Sequence, residues 1–135
     1  MFDTKAVVLV HQDLLTWQKL NVTAFLATGI ASAVPNAIGD QYVNASGREF
    51  AAMLGQPIMV LAATEKDLAR AYRIGGEHDL ISAVYVRAMF ATGHDSANRD
   101  AFQREDPDSP DLVGLALYGS KRSVDKATKG AKLHP

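Results

Sequence analysis

Cysteine is absent from this 135-residue chain, and so are long hydrophobic runs and any excess of charge of one sign. Without cysteine, the chain can form no disulfide, no thiolate nucleophile and no cysteine-based zinc site. The 14 Lys and Arg nearly balance the 15 Asp and Glu, which argues against nucleic-acid binding through the overall field of the protein. The first apolar run is short and Asp13 follows it, so neither a signal peptide nor a membrane span is predicted and a cytoplasmic location is expected.

Four apolar segments predict the strands of a buried sheet. Residues 6–10, 58–62 and 112–118 are continuous apolar runs without alternation, the pattern of strands covered on both faces. Residues 80–86 are rich in β-branched and aromatic side chains, and residues 41–44 are a weaker candidate for an edge strand. With helices between them, these four to five strands predict one layered α/β domain over residues 1–135.

Two longer helices and one short helix are predicted between the strands. The first begins after Thr16 as its N-cap and carries two apolar stripes, so it is expected to be mostly buried. A capping box of Thr64 and Asp67 opens the second, which is expected to end at Gly75-Gly76, and Ser96 is expected to cap the short one. The stripes of the first helix are Trp17, Leu20, Ala24, Ala27 and Ala31, and Val22, Phe25 and Gly29.

The C-terminal residues 121–135 hold five Lys and Arg against one Asp. We expect this segment to be a loosely ordered tail. Its cations are suited to phosphate contacts, but the segment lacks the interleaved aromatics that stack on single-stranded nucleic acid. A solvated C-terminus is the alternative interpretation.

Polar side chains gather after three predicted strands, where ligands bind in layered α/β folds. The first group is Asp13 and Lys19 near the start of the first helix, whose free N–H groups favour anions. The second lies within residues 87–99, and the third is residues 119–122. Structural roles are the alternative: Asp13 then caps a turn, Lys19 lies on a solvated helix face, and residues 94–99 form a surface helix with its cap.

Metal and nucleotide motifs are missing. The histidines at 11, 78, 94 and 134 show neither i,i+4 pairing nor an HExxH arrangement, and no Gly-x-Ser-x-Gly elbow or phosphate loop is present. We therefore expect no metal, no cofactor and no Ser-His-Asp triad.

The stretches MFATGHDSANR (residues 89–99) and LVGLALYGSKRSVDK (residues 112–126) resemble the family known as domain of unknown function 2000, and the resemblance extends over nearly the whole chain. That family's fold is similar to the second class of peptidyl-tRNA hydrolases. The resemblance therefore implies a mixed sheet with helices on both faces, and a hydrolase-type site after the first strand and near residues 87–99.

The hydrolase motifs match only in part. Asp13, Leu14 and Lys19 correspond to motif residues, whereas His11 and Gln12 replace an Arg-Thr pair, and Thr23 and Leu26 replace the motif Gln and His. If Thr92 takes the place of the Thr in the Asp-Ala-Gly-x-Thr motif, Ala88 replaces its Asp and Phe90 its Gly. Loss of a carboxylate that assists the chemistry normally lowers activity by orders of magnitude, so the resemblance predicts the fold better than the activity.

Three functions remain open from the sequence. The first is an acyl- or peptidyl-hydrolase-type or binding site for a small anionic ligand at the strand ends. The second is a non-catalytic interaction protein, expected to be a homodimer, and the third is a tRNA-binding module. Whether the chain is an enzyme is left open. For the first function, the predicted catalytic residues are Lys19, Thr92 and His94, and the predicted ligand-binding residues are Asp13, Asn98 and Arg99.

Overall fold

A computed structural model describes residues 2–135 and forms a mixed five-stranded sheet with four α-helices. The strands are β1 (Thr4–His11), β2 (Tyr42–Val43), β3 (Glu49–Phe50), β4 (Ile58–Ala63), β5 (Ile81–Val86), β6 (Leu112–Ser120) and β7 (Lys132–Leu133). The helices are α1 (Thr16–Ala33), α2 (Glu65–Glu77), α3 (Asp95–Gln103) and α4 (Lys121–Ala127), with short 3-10 turns at Pro35–Ala37 and Arg87–Ala91. The main sheet has the order β5-β6-β1-β4-β7, and β2 and β3 form a separate hairpin.

β1 lies at the centre of the sheet, as its continuous apolar run predicts. It pairs in parallel with β4 and antiparallel with β6, and Ala6 to Leu9 are fully buried. Alternate side chains of a strand point to opposite faces. Val8 and Val10 accordingly pack in the cluster that contains α1, while Val7 and Leu9 pack in the cluster that contains α2 and α4. Helices therefore cover both faces, as predicted.

The helix termini match the sequence only in part. The capping box of α2 is confirmed: the Thr64 N–H donates to Asp67 Oδ2 at 2.9 Å, and the Asp67 N–H donates to Thr64 Oγ1 at 3.1 Å. Thr16 is the first residue of α1 and not its N-cap; Leu15 takes that place, and its N–H donates to Gln18 Oε1 at 3.0 Å. The cap is therefore one residue earlier than predicted, and its own N–H is bound by Gln18, whereas the Leu15 side chain offers no acceptor to the first turn.

The prediction that α2 ends at Gly75-Gly76 is wrong, because the helix continues to Glu77. Gly75 lies inside the helix, where a Cβ atom would come within 3.0 Å of Leu117 on β6. Its missing side chain therefore serves the packing of α2 on the sheet. The chain reverses instead through Asp79, at a positive φ of 52°.

Two further segments differ from the prediction. Residues 121–135, predicted to be a loosely ordered tail, form α4 and β7, and α4 buries Val124 and Ala127 against the sheet. Residues 41–44 were predicted as an edge strand of the main sheet, but β2 pairs only with β3, and β7 is the fifth strand. The sequence does not predict this order, because Val124 and Ala127, the two residues that α4 buries, are small and are surrounded by charged residues.

Residues 38–54 form a projecting arm built on the β2–β3 hairpin. A bridge between Ile38 and Leu54 closes its base, and the Asn44 side chain accepts from the N–H groups of Ser46 and Arg48 to shape its turn. Every residue from 38 to 51 is exposed. Within the described part of the chain, none of the helices has the length and apolar character needed to cross a bilayer.

We predict that Gly114→Ala lowers the free energy of unfolding by about 1–3 kcal/mol, because the added Cβ lies 2.4 Å from Val22 Cγ1 and 2.9 Å from Leu26 Cδ1 of α1. Gly76→Ala is the matched control. Gly76 lies in α2 with no atom near the added Cβ, so this change is expected to stabilise the fold by up to about 1 kcal/mol. Urea unfolding of both variants measures the difference, and equal stabilities would contradict the packing argument.

Candidate functional site

A cleft lies between α1 and α3 at the edge of the sheet formed by β5. Its larger lobe, about 470 Å³, borders α1, β5 and α3, and its smaller lobe, about 290 Å³, continues toward the 3-10 turn and residues 92–94. Phe25, Tyr85, Met89, Asp95 and Asn98 line both lobes. We refer to this space as the α1–α3 cleft.

Four aromatic side chains form one wall of the cleft. Trp17 meets Phe90 edge to face at 5.9 Å between ring centroids, and Tyr85 stacks at a tilt on Phe90 at 5.3 Å. Phe25 lies 6.3 Å from Tyr85. These are the separations at which aromatic pairs attract, so the rings support one another as a continuous apolar surface in which neighbouring ring planes are inclined by 45° to 70°.

Tyr85 is the one aromatic residue of this wall with a titratable group. Its ring is buried beneath α1, and desolvation raises the pKa of its phenol above the usual value for tyrosine. The phenol therefore stays protonated at neutral pH and keeps its donor hydrogen.

Thr92 and Asn98 form a polar pair on the side of the cleft opposite to α1. The Thr92 hydroxyl donates to the carbonyl of Met89 at 2.8 Å and also contacts the side-chain amide of Asn98. Both side chains are half-buried. Two of the predicted site residues thus lie together in the cleft.

His94 lies next to this pair, where it is the N-cap of α3. Its Nδ1 accepts from the N–H of Ala97 at 3.2 Å and lies 2.9 Å from Ser96 Oγ. Ser96 was predicted to be this cap, which is wrong by two residues, and Ser96 instead supports the capping imidazole. The arrangement fixes Nδ1 as an acceptor and leaves Nε2 with the proton.

Arg99 and Asp95 form an ion pair one turn apart on α3, and Asp95 does not orient His94. Both side chains are largely exposed, so the pair contributes little to stability. Its effect on the cleft is to place a cation and an anion at one rim, where their charges offset each other.

Lys19 and Asp13 lie away from the cleft. Trp17, Asn21 and Phe25 face it from α1, and Lys19 is turned about 200° around the helix axis from Trp17 at 100° per residue. Asp13 is exposed in the turn after β1, where its N–H donates to His11 Nδ1 at 3.1 Å. Because β1 is two strands from β5, about 10 Å separates these strands.

Residues 119–122 lie at the opposite end of the strands from the other two predicted groups. β6 runs antiparallel to β1 and pairs Ser120 with Thr4. Residues 119–122 therefore lie apart from the other two groups, because the direction of β6, which the sequence does not indicate, carries them to the opposite strand ends.

Sequence reasoning missed the aromatic wall. Trp17, Asn21 and Phe25 follow i,i+4 spacing, which would have marked a shared helix face. Within residues 2–135, no three His, Asp or Glu side chains cluster in a way that could hold a metal ion.

The strand order, the helices on both faces and the cleft at the β5 edge define a three-layer α/β protein with a mixed sheet. Residues 4–135 match the family model described as protein of unknown function (DUF2000), and the chain belongs to this family. A solved structure, that of the protein of unknown function Atu0240 from Agrobacterium tumefaciens strain C58, is similar over 100% of both chains, with 44% sequence identity and a TM-score of 0.95. No curated protein matches the chain.

We predict that His94→Ala lowers the free energy of unfolding by about 1 kcal/mol, whereas His94→Asn leaves it within about 0.5 kcal/mol, because Asn is a strong N-cap. Chemical denaturation of the two variants measures this. Equal losses in both would contradict the capping role and would point to a contact specific to imidazole.

Proposed function

We propose that the α1–α3 cleft binds a small molecule with a flat apolar body and an uncharged polar end. The observation that carries this proposal is the aromatic wall of Trp17, Phe25, Tyr85 and Phe90 facing the Thr92–Asn98 pair. Protein sites for small organic ligands combine mostly apolar walls with a few fixed polar groups, and they have volumes of about 300–1,000 Å³. The two lobes of the cleft together have a volume within this range and a lining of this kind.

The polar end of the ligand is assigned to Asn98 and Thr92, with the neutral phenol of Tyr85 as a further donor. The anionic ligand expected from the sequence would need the positive charges of the predicted residues Lys19 and Arg99 at one site. Lys19 lies on the other flank of α1, and Asp95 neutralises Arg99. An uncharged amide or hydroxyl is therefore favoured over a carboxylate, because Arg99, already paired with Asp95, offers a carboxylate no unpaired positive charge.

Trp17 reports directly on this proposal, because it is the single tryptophan of the chain and lines the smaller lobe. We expect benzamide to change Trp17 fluorescence in a saturable way and benzoate to do so at least about tenfold more weakly. Asn98→Ala should weaken benzamide binding by about tenfold, the effect of one lost hydrogen bond.

Asn36→Ala is the matched control, since Asn36 is an exposed amide in the turn after α1 and lies outside the cleft. It should bind benzamide as the wild type does. No saturable response to either probe, or equal losses in the two variants, would refute the proposal.

Peptidyl-tRNA hydrolysis is the second candidate, supported by Thr92 bordering the cleft as the motif comparison expects. Ala88 supplies no carboxylate. The Thr92 hydroxyl donates to the Met89 carbonyl, and Nδ1 of His94 accepts from the N–H of Ala97 in capping α3. These contacts favour binding over hydrolysis, because a nucleophile needs a base within hydrogen-bonding reach.

We therefore expect purified protein not to hydrolyse N-acetylated aminoacyl-tRNA faster than buffer. Release of the aminoacyl group is the quantity to follow, with Thr92→Ala and Lys19→Ala in parallel. Wild-type turnover that falls about a hundredfold in both variants would establish a hydrolase site and displace the binding proposal.

A further inference from the structure

The outer face of α1 is apolar and uncovered. Lys19 is the single charged residue among the 18 of this helix, and the residues that α1 buries are Val22, Leu26 and Ile30. On the outer side, Trp17 is 58% exposed and Leu20 is 68% exposed. The sequence predicts a mostly buried helix, and this is wrong for the single chain. Of the two predicted apolar stripes only Val22 is buried, and Leu26 and Ile30, which belong to neither stripe, complete the buried face.

The arm, residues 38–54, presents a second uncovered apolar surface. Tyr42 pairs with Phe50 across the hairpin, and both rings are about half exposed, as is Met53 near the base. A two-stranded hairpin is marginally stable on its own. The arm therefore needs a surface to pack against, and it finds none in its own chain.

Together the two surfaces account for eight of the twelve large apolar side chains that are exposed in the described part of the chain: Trp17, Leu20 and Phe25 on α1, and Ile38, Tyr42, Val43, Phe50 and Met53 on the arm. Side chains of this size, each roughly half exposed, present on the order of 900 Å². That is close to the about 800 Å² per partner that a specific interface covers. Monomeric proteins rarely expose an apolar patch of more than a few hundred Å².

We propose that two copies of this chain form a two-fold symmetric dimer in which the α1 helices pack antiparallel and the arm of each copy covers Trp17 and Leu20 of the other. α1 ends where the arm begins, so the two surfaces lie at opposite ends of a helix about 27 Å long. An antiparallel pair brings each arm to the N-terminal half of the partner helix.

The dimensions of the parts fit this arrangement. Fully extended, the seven residues from 38 to the turn of the arm would span about 23 Å at most, which is close to the length of α1. Ala24 lies at the middle of α1 on the outer face and is small enough to let the helix axes approach at the two-fold axis. α1 meets its own copy at the two-fold axis, each arm meets the N-terminal half of the partner's α1, and these contacts close the dimer.

The dimer also bears on the α1–α3 cleft, because Trp17 belongs to both. An arm resting on Trp17 covers the outer side of the smaller lobe and shields it from water. This consequence is separate from the ligand proposal, since the dimer requires no ligand and the cleft is lined by one chain.

Sedimentation velocity of the full chain tests the dimer first. We expect twice the 14.5 kDa chain mass at micromolar concentration. Leu20→Glu on the helix and Phe50→Glu on the arm should each raise the dissociation constant by about a hundredfold or more, because each buries a charge in the interface. Both side chains are exposed in the single chain, so circular dichroism should show intact folding.

Leu133→Glu is the matched control, because Leu133 is 60% exposed on β7, at the far edge of the sheet. It should remain dimeric. A wild type that stays monomeric over a hundredfold range of micromolar concentrations would overturn the proposal. Another partner would then have to cover α1. A dimer that survives both Leu20→Glu and Phe50→Glu would overturn the assigned surface.

Single cysteines test the antiparallel arrangement, since the chain has none of its own. Ala24→Cys lies at the proposed two-fold axis and should cross-link to its copy under mild oxidation. Ser32→Cys lies eight residues further along α1, so two copies would be about 24 Å apart, beyond the roughly 7 Å limit for a disulfide. Cross-linking of both variants would indicate parallel helices, and cross-linking of neither would refute the helix pair.

Discussion

The close approach of α1 to the sheet depends on two positions that carry no side chain. A Cβ at Gly114 would overlap Val22 and Leu26 of α1, and a Cβ on Gly29 would lie 2.8 Å from Ala83 of β5. These two glycines let the helix lie low over β6 and β5. That depth brings Phe25 to Tyr85, and so it sets the position of the aromatic wall. The shape of the cleft follows from backbone packing more than from any polar residue.

The helix that is held so closely on its inner side is apolar on its outer side as well. Val22, Leu26 and Ile30 are enough to fix α1 on the sheet. Apart from the contact of Trp17 with Phe90, the outer stripe adds little to the stability of a single chain, and exposed aromatic and aliphatic residues carry a risk of aggregation. The arm, residues 38–54, also exposes apolar side chains. We therefore regard the outer stripe of α1 and the arm as parts of one interface.

The sequence predicted the sheet better than the site, for physical reasons that particular residues make clear. The run at residues 6–10 can be buried on both faces only at the centre of a sheet, and β1 lies there. Thr64 and Asp67 form a local hydrogen-bonded pair, so the start of α2 could be read from neighbours in sequence. The sequence did not predict where Lys19 and residues 119–122 lie relative to the cleft, because their positions depend on the rotation of α1 and the direction of β6, which are tertiary properties. His94 is the instructive case, since an imidazole that caps a helix has the same sequence signature as one that transfers protons.

The antiparallel pairing of β1 with β6 has a consequence for how the chain is made. Thr4 and Tyr118 share a hydrogen bond across 114 residues of sequence, so the central strand gains its β6 neighbour only after residues 112–120 have left the ribosome. Until then, residues 6–10 can pair with β4 alone and expose one unpaired edge of apolar strand to solvent. Contacts of such long range close slowly. During synthesis, the nascent chain therefore offers its most buried segment to chaperones or to other chains, and the C-terminal third acts as the element that ends this exposure.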